Sequence, residues 1–177
     1  MKWDINPGLA FTAAVYQLDR ENSRFNNPVT GLPELSGKTR AKGIELSLVG
    51  RVTDGLDVSL GYTLQDGEVT ATTTAAPAGR KLAQLPRHQL SAWGRYQLTD
   101  KLGLGLGLLH QSSQFSTISS AVRMPAFTRL DAGVFYDVSD NLRVQVNVEN
   151  LLDESYEQVF SFVSPGRSVI GGLRISL

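Results

Sequence analysis

NLRVQVNVENLLDESYEQV, residues 141–159, changes character halfway along. Up to Glu149, Leu142, Val144, Val146 and Val148 fall on one side of an extended chain, and Arg143, Gln145, Asn147 and Glu149 fall on the other. This two-residue period is that of a β-strand. After Asn150 the alternation stops, and acids and an aromatic residue crowd together. A strand built this way has one apolar wall and one polar wall. Its end marks the point where it leaves the medium that made the distinction useful.

The same period recurs along the chain. KLGLGLGLLH, residues 101–110, sets Leu102, Leu104, Leu106 and Leu108 against Gly103, Gly105 and Gly107. A phosphate-binding glycine loop opens a helix, whereas this run sits inside unbroken alternation. GIELSLVGRV separates Ile44, Leu46, Leu48 and Val52 from Glu45, Ser47 and Arg51, and LDVSLGYTLQ separates Val58, Leu60, Tyr62 and Leu64 from Asp57, Ser59, Thr63 and Gln65. HQLSAWGRYQL places Leu90, Ala92, Tyr96 and Leu98 opposite Gln89, Ser91, Trp93 and Arg95. TRLDAGVFYDV places Leu130, Ala132, Val134, Tyr136 and Val138 opposite Arg129, Asp131, Phe135 and Asp137. SVIGGLRISL aligns Val169, Leu173, Ile175 and Leu177 against Arg174 and Ser176, and LAFTAAVYQL near the start aligns Leu9, Phe11, Ala13 and Val15. The pattern predicts eight strands and no helix.

The links between these strands alternate in length. TDG, LTDK and VSDN are short and rich in the residues that turns favour, while residues 20–41, 66–87, 111–126 and the segment after Val159 are long. Tight turns at one end and long loops at the other are the layout of an up-and-down membrane barrel. The polar rows carry Glu45, Arg51, Asp57, Arg95, Arg129, Asp131, Arg143, Glu149 and Arg174, whereas the middles of the apolar rows carry no charge. An Arg facing lipid at the midplane costs about 2–4 kcal/mol. The charged face is therefore expected to line the lumen and the Leu and Val rows to meet lipid, with Tyr96 and Tyr136 in an aromatic girdle. A soluble barrel with the faces reversed does not explain the alternation of short and long links.

Composition narrows the remaining choices. The 177 residues form a single expected domain, 1–177, with 17 basic and 17 acidic residues, a net charge of +0 and no basic run, so nucleic acid is not an expected partner. Cysteine is absent, which removes disulfide scaffolds and thiol chemistry. The first residues show no secretory signal pattern, and no stretch approaches the roughly 18 apolar residues of a membrane helix. His88 and His110 are the only histidines, both at strand ends, and read as rim residues. Neither a metal site nor a catalytic site is expected, so the chain is not read as an enzyme.

Four segments also carry a family resemblance: GKTRAKGIELSLVGR (37–51), LPRHQLSAWGRYQLTD (85–100), VENLLDESYEQV (148–159) and PGRSVIGGLRISL (165–177). In this order and spacing the chain resembles the C-terminal part of a TonB-dependent outer-membrane receptor of the ferric-siderophore branch. The resemblance implies the last eight strands of a barrel of about 22 strands. It also implies an outer-membrane location, contact with outer-membrane lipid, and ferric-siderophore binding and uptake by the full-length protein. TonB would act only through an N-terminal plug and TonB box that are not among these residues, so energised transport is not expected of the 177 residues alone. No cofactor is implied. In the external loop after residue 150, Phe160, Phe162 and Arg167 are the candidate contacts to a ferric catecholate. Leu177 stands where the family usually ends in Phe, the residue recognised by the barrel-assembly machinery. Eight strands suffice for a small barrel, and closing the strand around Leu9–Val15 onto the strand around Val169–Ile175 is expected to give one filled by side chains. A stand-alone small barrel with a structural or loop-mediated binding role is the competing reading.

Overall fold

The structure, a computed structural model, describes residues 1–27, 29–118 and 122–176. Its main element is one antiparallel sheet of nine strands: β1 (Lys2–Asn6), β2 (Leu9–Asn26), β3 (Pro33–Thr53), β4 (Leu56–Ala71), β5 (His88–Gln97), β6 (Leu102–Gln111), β9 (Phe127–Ser139), β10 (Leu142–Glu149) and β13 (Ser168–Ile175). Strands follow one another in chain order across the sheet. Two small hairpins, β7 (Gln114–Phe115) with β8 (Arg123–Met124) and β11 (Glu157–Val159) with β12 (Phe162–Val163), decorate the long loops.

Residues directly opposite in an antiparallel ladder share a face, so the pairing fixes the two sides. Phe11, Leu48 and Leu60 stand abreast, as do Leu104, Val134 and Tyr96. The apolar rows lie on one face, and much of that face is bare: Val15 is 82%, Leu106 61% and Leu173 72% exposed. Water does not tolerate a continuous apolar face of this extent, whereas lipid favours it. Reversed faces would have buried these rows, so the soluble-barrel alternative does not describe this sheet. Near the tight-turn end the face carries Tyr96, Tyr136 and Trp3, and near the long-loop end Tyr62, whose hydroxyl meets Nδ1 of His88 at 2.8 Å.

Two expectations are corrected. The sheet has nine strands rather than eight, because KWDIN forms β1 and pairs with Leu9–Thr12. Trp3 and Ile5 do alternate with Lys2, Asp4 and Asn6, but over five residues the period is too short to stand out. The turn between β1 and β2 docks on β3: Arg51 N donates to Gly8 O at 2.7 Å, and Gly50, at φ +131°, has no room for a Cβ, which would lie 1.9 Å from that same oxygen. The second correction is closure. Leu9–Val15 pairs with β3 along its length and with β1 over Leu9–Thr12, and does not meet Val169–Ile175; the described sheet is open, with β1 and β13 as its edges. With nine alternating strands the two edges run in the same direction, so closure would require a parallel pair.

Segment 20–41, expected as loop, is mostly strand, since β2 and β3 pair out to Asn26 and Pro33. Above the apolar belt both faces meet water, the alternation disappears, and cross-strand charges replace it: Arg40 Nε to Asp19 at 2.6 Å and Lys38 Nζ to Glu21 at 2.7 Å. Leu177, the last apolar position expected in β13 and the site of the departure from Phe, lies outside the described residues.

Candidate functional site

At the tight-turn end and through the belt, the ladder puts all nine charged residues singled out in the sequence on the face opposite the apolar rows. Arg51, Asp57 and Arg95 stand abreast on β3, β4 and β5, and Arg143 lies between Asp137 and Arg174. Glu45 faces Thr63 and Glu149 faces Ser168 on that side. Opposite charges are locally matched. Arg143 grips Asp137 through Nε at 2.6 Å and Nη2 at 2.9 Å, and Arg51 reaches Asp57 at 3.3 Å. The Arg95 guanidinium lies 5.0 Å from the centre of the Phe135 ring.

Where β10 ends, the NLLDESY stretch forms a clasp. Asn150, almost fully buried and at φ +54°, accepts from Glu154 N at 2.9 Å through Oδ1 and donates Nδ2 to Glu154 O at 2.8 Å and to Pro165 O at 3.4 Å. Its own backbone N donates to Asp131 Oδ1 at 2.8 Å. Asp131 in turn takes Arg129 Nη2 at 2.8 Å, while Arg129 Nη1 donates to the Tyr156 hydroxyl at 3.2 Å and the Tyr156 ring stacks on Phe127 with centres 4.3 Å apart. Asp153 Oδ1 accepts from Arg167 N at 2.7 Å. The crowded acids and aromatic at the end of the opening stretch are therefore a fastening that ties the last long loop to β9.

That fastening also fixes where the loop candidates sit. Phe160 and Phe162 project from the tip of the β11–β12 hairpin, Phe162 being 71% exposed. Among the described residues no ring contact joins either phenylalanine to Arg167.

Sequence reading missed a larger assembly at the same end. The loop from Thr72 to Arg87 returns along the free upper edge of β4, with Val69 N donating to Arg80 O at 2.8 Å, Leu82 N to Gly67 O at 3.0 Å and Gln65 N to Arg87 O at 2.9 Å. Ala83 then bridges in parallel to Phe115. The little true core of the chain lies mostly here: Val69, Ala75, Ala76, Met124, Phe127 and Tyr156 are buried. Phe115 is clamped between two guanidinium groups, Arg80 at 5.1 Å and Arg123 at 5.3 Å from its ring centre. Two cavities flank this loop core. The larger, of 760 Å³, is bordered by Arg20, Arg24, Phe25 and Thr39 of the β2–β3 hairpin and by the two loops. The smaller, of 490 Å³, holds Lys42, Lys81, Arg87 and Arg123 with Asp66 as its one acid. Only their distribution over distant segments hid these cations, because the sequence contains no basic run.

Asp66 pairs with Lys81 inside the smaller cavity at 2.7 Å, whereas Glu34 and Asp19 are engaged outside both cavities. Hydrogen bonds from Thr74 and Asn27 hold the Glu34 carboxyl below the usual carboxylate range, and those from Arg40 and Gln17 do the same for Asp19. Neither histidine lies in either cavity. Both lie on the apolar face, His110 with Nδ1 2.8 Å from the Thr128 hydroxyl oxygen. Among the described residues no group of three or more His, Asp or Glu side chains is placed to hold a metal ion.

An antiparallel wall with an apolar outer face, a charge-matched opposite face and a basic mouth under folded loops defines a segment of a large membrane β-barrel. The family described as TonB dependent receptor-like, beta-barrel matches residues 1–151, and the chain belongs to it. The probable TonB-dependent receptor BfrD of Bordetella pertussis is 30% identical over 99% of this chain and 26% of its own length. The catecholate siderophore receptor Fiu of Escherichia coli K12 is 35% identical over 88% of this chain and 21% of its own. Among solved structures, the ferric-catecholate import receptor Fiu in its closed form superimposes with a TM-score of 0.84 at 28% identity, covering 98% of this chain and 26% of that one. The siderophore receptor PiuA of Acinetobacter baumannii gives 0.85 at 26% identity, over 98% and 27%. The chain thus spans about a quarter of the length of the relatives it matches. The family consists of outer-membrane transport receptors rather than enzymes.

Proposed function

We propose that these residues form part of the wall and the external mouth of an outer-membrane receptor that binds a ferric siderophore and passes it inward. Long loops face the outside and tight turns face the periplasm, as in outer-membrane barrels generally. The observation that carries the reading is the combination of a bare apolar face with basic cavities confined to the long-loop end, alongside relatives named as siderophore receptors. The charged face, from Glu45 to Arg174, lines the lumen. Phe160, Phe162 and Arg167 belong to an outer loop that contributes to ligand capture. Energy for import is supplied through TonB by parts of the receptor outside these residues, so a polypeptide of these 177 residues alone is not competent for uptake.

The test is uptake of radiolabelled ferric siderophore in iron-starved cells lacking their own receptors. The complete reading frame encoding these residues should restore TonB-dependent accumulation, and the 177 residues alone should not. TonB-dependent accumulation by the 177 residues alone would contradict the second half of the reading, and failure of the complete frame with every ferric siderophore supplied would contradict the first.

A further inference from the structure

Lys42 and Asp66, which border the smaller loop cavity, stand on the lipid side of the sheet. The ladder sets them abreast with Gln17, one rung beyond the row of Val15, Ile44 and Leu64 and about 7 Å further along the strands. That row is the last apolar one on these strands, since the rung after Lys42 holds Asp19, Arg40 and Glu68. The acid beside Lys42 is taken: both Asp66 oxygens accept from Lys81 Nζ, at 2.7 and 2.8 Å, and Glu68 lies 3.8 Å from the same ammonium. Lys42 and Arg87 are left over, and among the described residues neither makes an ion pair or a side-chain hydrogen bond. Gln114, 5% exposed, borders the same cavity, and among the described residues its Oε1 has no hydrogen-bond partner. A further space of 290 Å³ shares Lys42, Asp66 and Arg87 with this cavity and is bordered beyond them by Val15, Ile44 and Leu64.

Resting on the outward orientation of the long loops in the receptor reading, we propose that Lys42 and Arg87 hold the phosphate of an outer-leaflet lipid, with an acyl chain of that lipid lying along Val15, Ile44 and Leu64. The phosphates of a bilayer lie just outside its hydrocarbon, the level at which this face passes from apolar to charged, and basic pockets at that level hold lipid headgroups. An ammonium and a guanidinium together give charge-assisted hydrogen bonds to phosphate oxygens. Lys81 draws Asp66 and Glu68 to itself and so keeps their charge from the phosphate. Gln114 Oε1 offers an acceptor to a headgroup hydroxyl. The apolar space decides between a lipid and a soluble anion. Free phosphate would leave Val15, Ile44 and Leu64 uncovered, whereas a lipid satisfies both ends of the site at once.

The experiment uses the detergent-solubilised receptor carrying these residues, with bound lipid followed by native mass spectrometry. The probes are a bisphosphorylated lipid A and the same lipid with both phosphates removed. Wild type is expected to hold the phosphorylated form more tightly. Lys42→Gln with Arg87→Gln should weaken that binding by roughly tenfold to a hundredfold, the range for losing charged hydrogen bonds, while leaving the dephosphorylated form unchanged. Lys42→Arg with Arg87→Lys, which keeps both charges, should retain the preference, and Lys101→Gln, at an exposed lysine of a tight turn, should not alter it. Equal weakening for both lipids, or none in the Gln pair, would overturn the site. Inorganic phosphate at the concentration of the lipid should leave the lipid in place; displacement would assign Lys42 and Arg87 to a soluble anion and overturn the lipid. TonB-dependent uptake by the wild-type receptor is measured in parallel. Its absence overturns the receptor reading, while the lipid preference decides the site on its own.

Discussion

Asn150 shows how a single side chain settles where a wall strand stops. Its positive φ suits Asn better than most residues, and its amide satisfies backbone groups on both sides of the loop at once. Asn150→Ala removes all three of these side-chain bonds, at a cost of about 2–4 kcal/mol at roughly 1 kcal/mol for each bond. Urea denaturation of the micelle-embedded receptor should show this loss, and Asn150→Asp, which keeps the acceptor and the tolerance of left-handed backbone, should lose less. On the apolar face, Leu106→Arg should destabilise by about 2–4 kcal/mol, whereas Gln145→Arg, on the other face, should be nearly neutral by the same measurement. At this scale the sequence was a good guide to side but a poor guide to partners. The parity of Arg143 and Asp137 is visible in NLRVQV and VFYDV, but the clasp between Asn150, Asp131 and Tyr156 depends on a loop path that no local period encodes.

Among elements, one tie at the long-loop end depends on pH. The Glu34 carboxylate, lowered by its bonds from Thr74 and Asn27, ties the loop starting at Thr72 to the β2–β3 hairpin. A folded-state pKa below the unfolded one means that the tie is fully present above the ordinary glutamate value of 4.5 and is lost as pH falls through the lower folded value. Hydrogen-exchange protection factors in residues 72–79, corrected for the intrinsic exchange rate at each pH, should therefore fall in acid in the wild type, and Glu34→Gln should remove that part of the pH dependence. Proteolysis of the same loop offers a second readout. Belt strands were legible because lipid on one side and water on the other impose a strict period. The extensions of β2, β3 and β4 beyond Leu18, Ala41 and Gln65 were not, since water on both sides lets charges occupy either face, as Asp19 and Arg20 do in successive positions. Five residues of β1 were too few to register.

For the molecule as a whole, the open sheet sets the strongest demand. Edges β1 and β13 leave on the order of ten backbone groups unpaired, each costing several kcal/mol in hydrocarbon. They run the same way, so an all-antiparallel barrel needs an odd number of further strands between them. Expressed alone, the 177 residues should accumulate as misassembled or proteolysed material, and co-expression of the remaining barrel should rescue a protein whose migration changes on heating. A stable, heat-modifiable monomer of the 177 residues alone would contradict the open sheet. The expectation of closure failed because an even count of eight strands was one short, an error that changes the direction of an edge and with it the whole topology. The mouth cavities were equally out of reach, since Arg20 comes to border one of them, and Arg87 and Arg123 the other, only after the long loops have folded over one another. The central claim is that the Leu and Val rows face lipid while the charged rows do not. The chain has no native cysteine, so single cysteines at 144, 145, 146, 147, 148 and 149 of the receptor can each carry a nitroxide label in bilayers. Oxygen accessibility should peak at 144, 146 and 148, with access of a polar nickel reagent peaking at 145, 147 and 149; a flat profile or the reverse alternation would contradict the account.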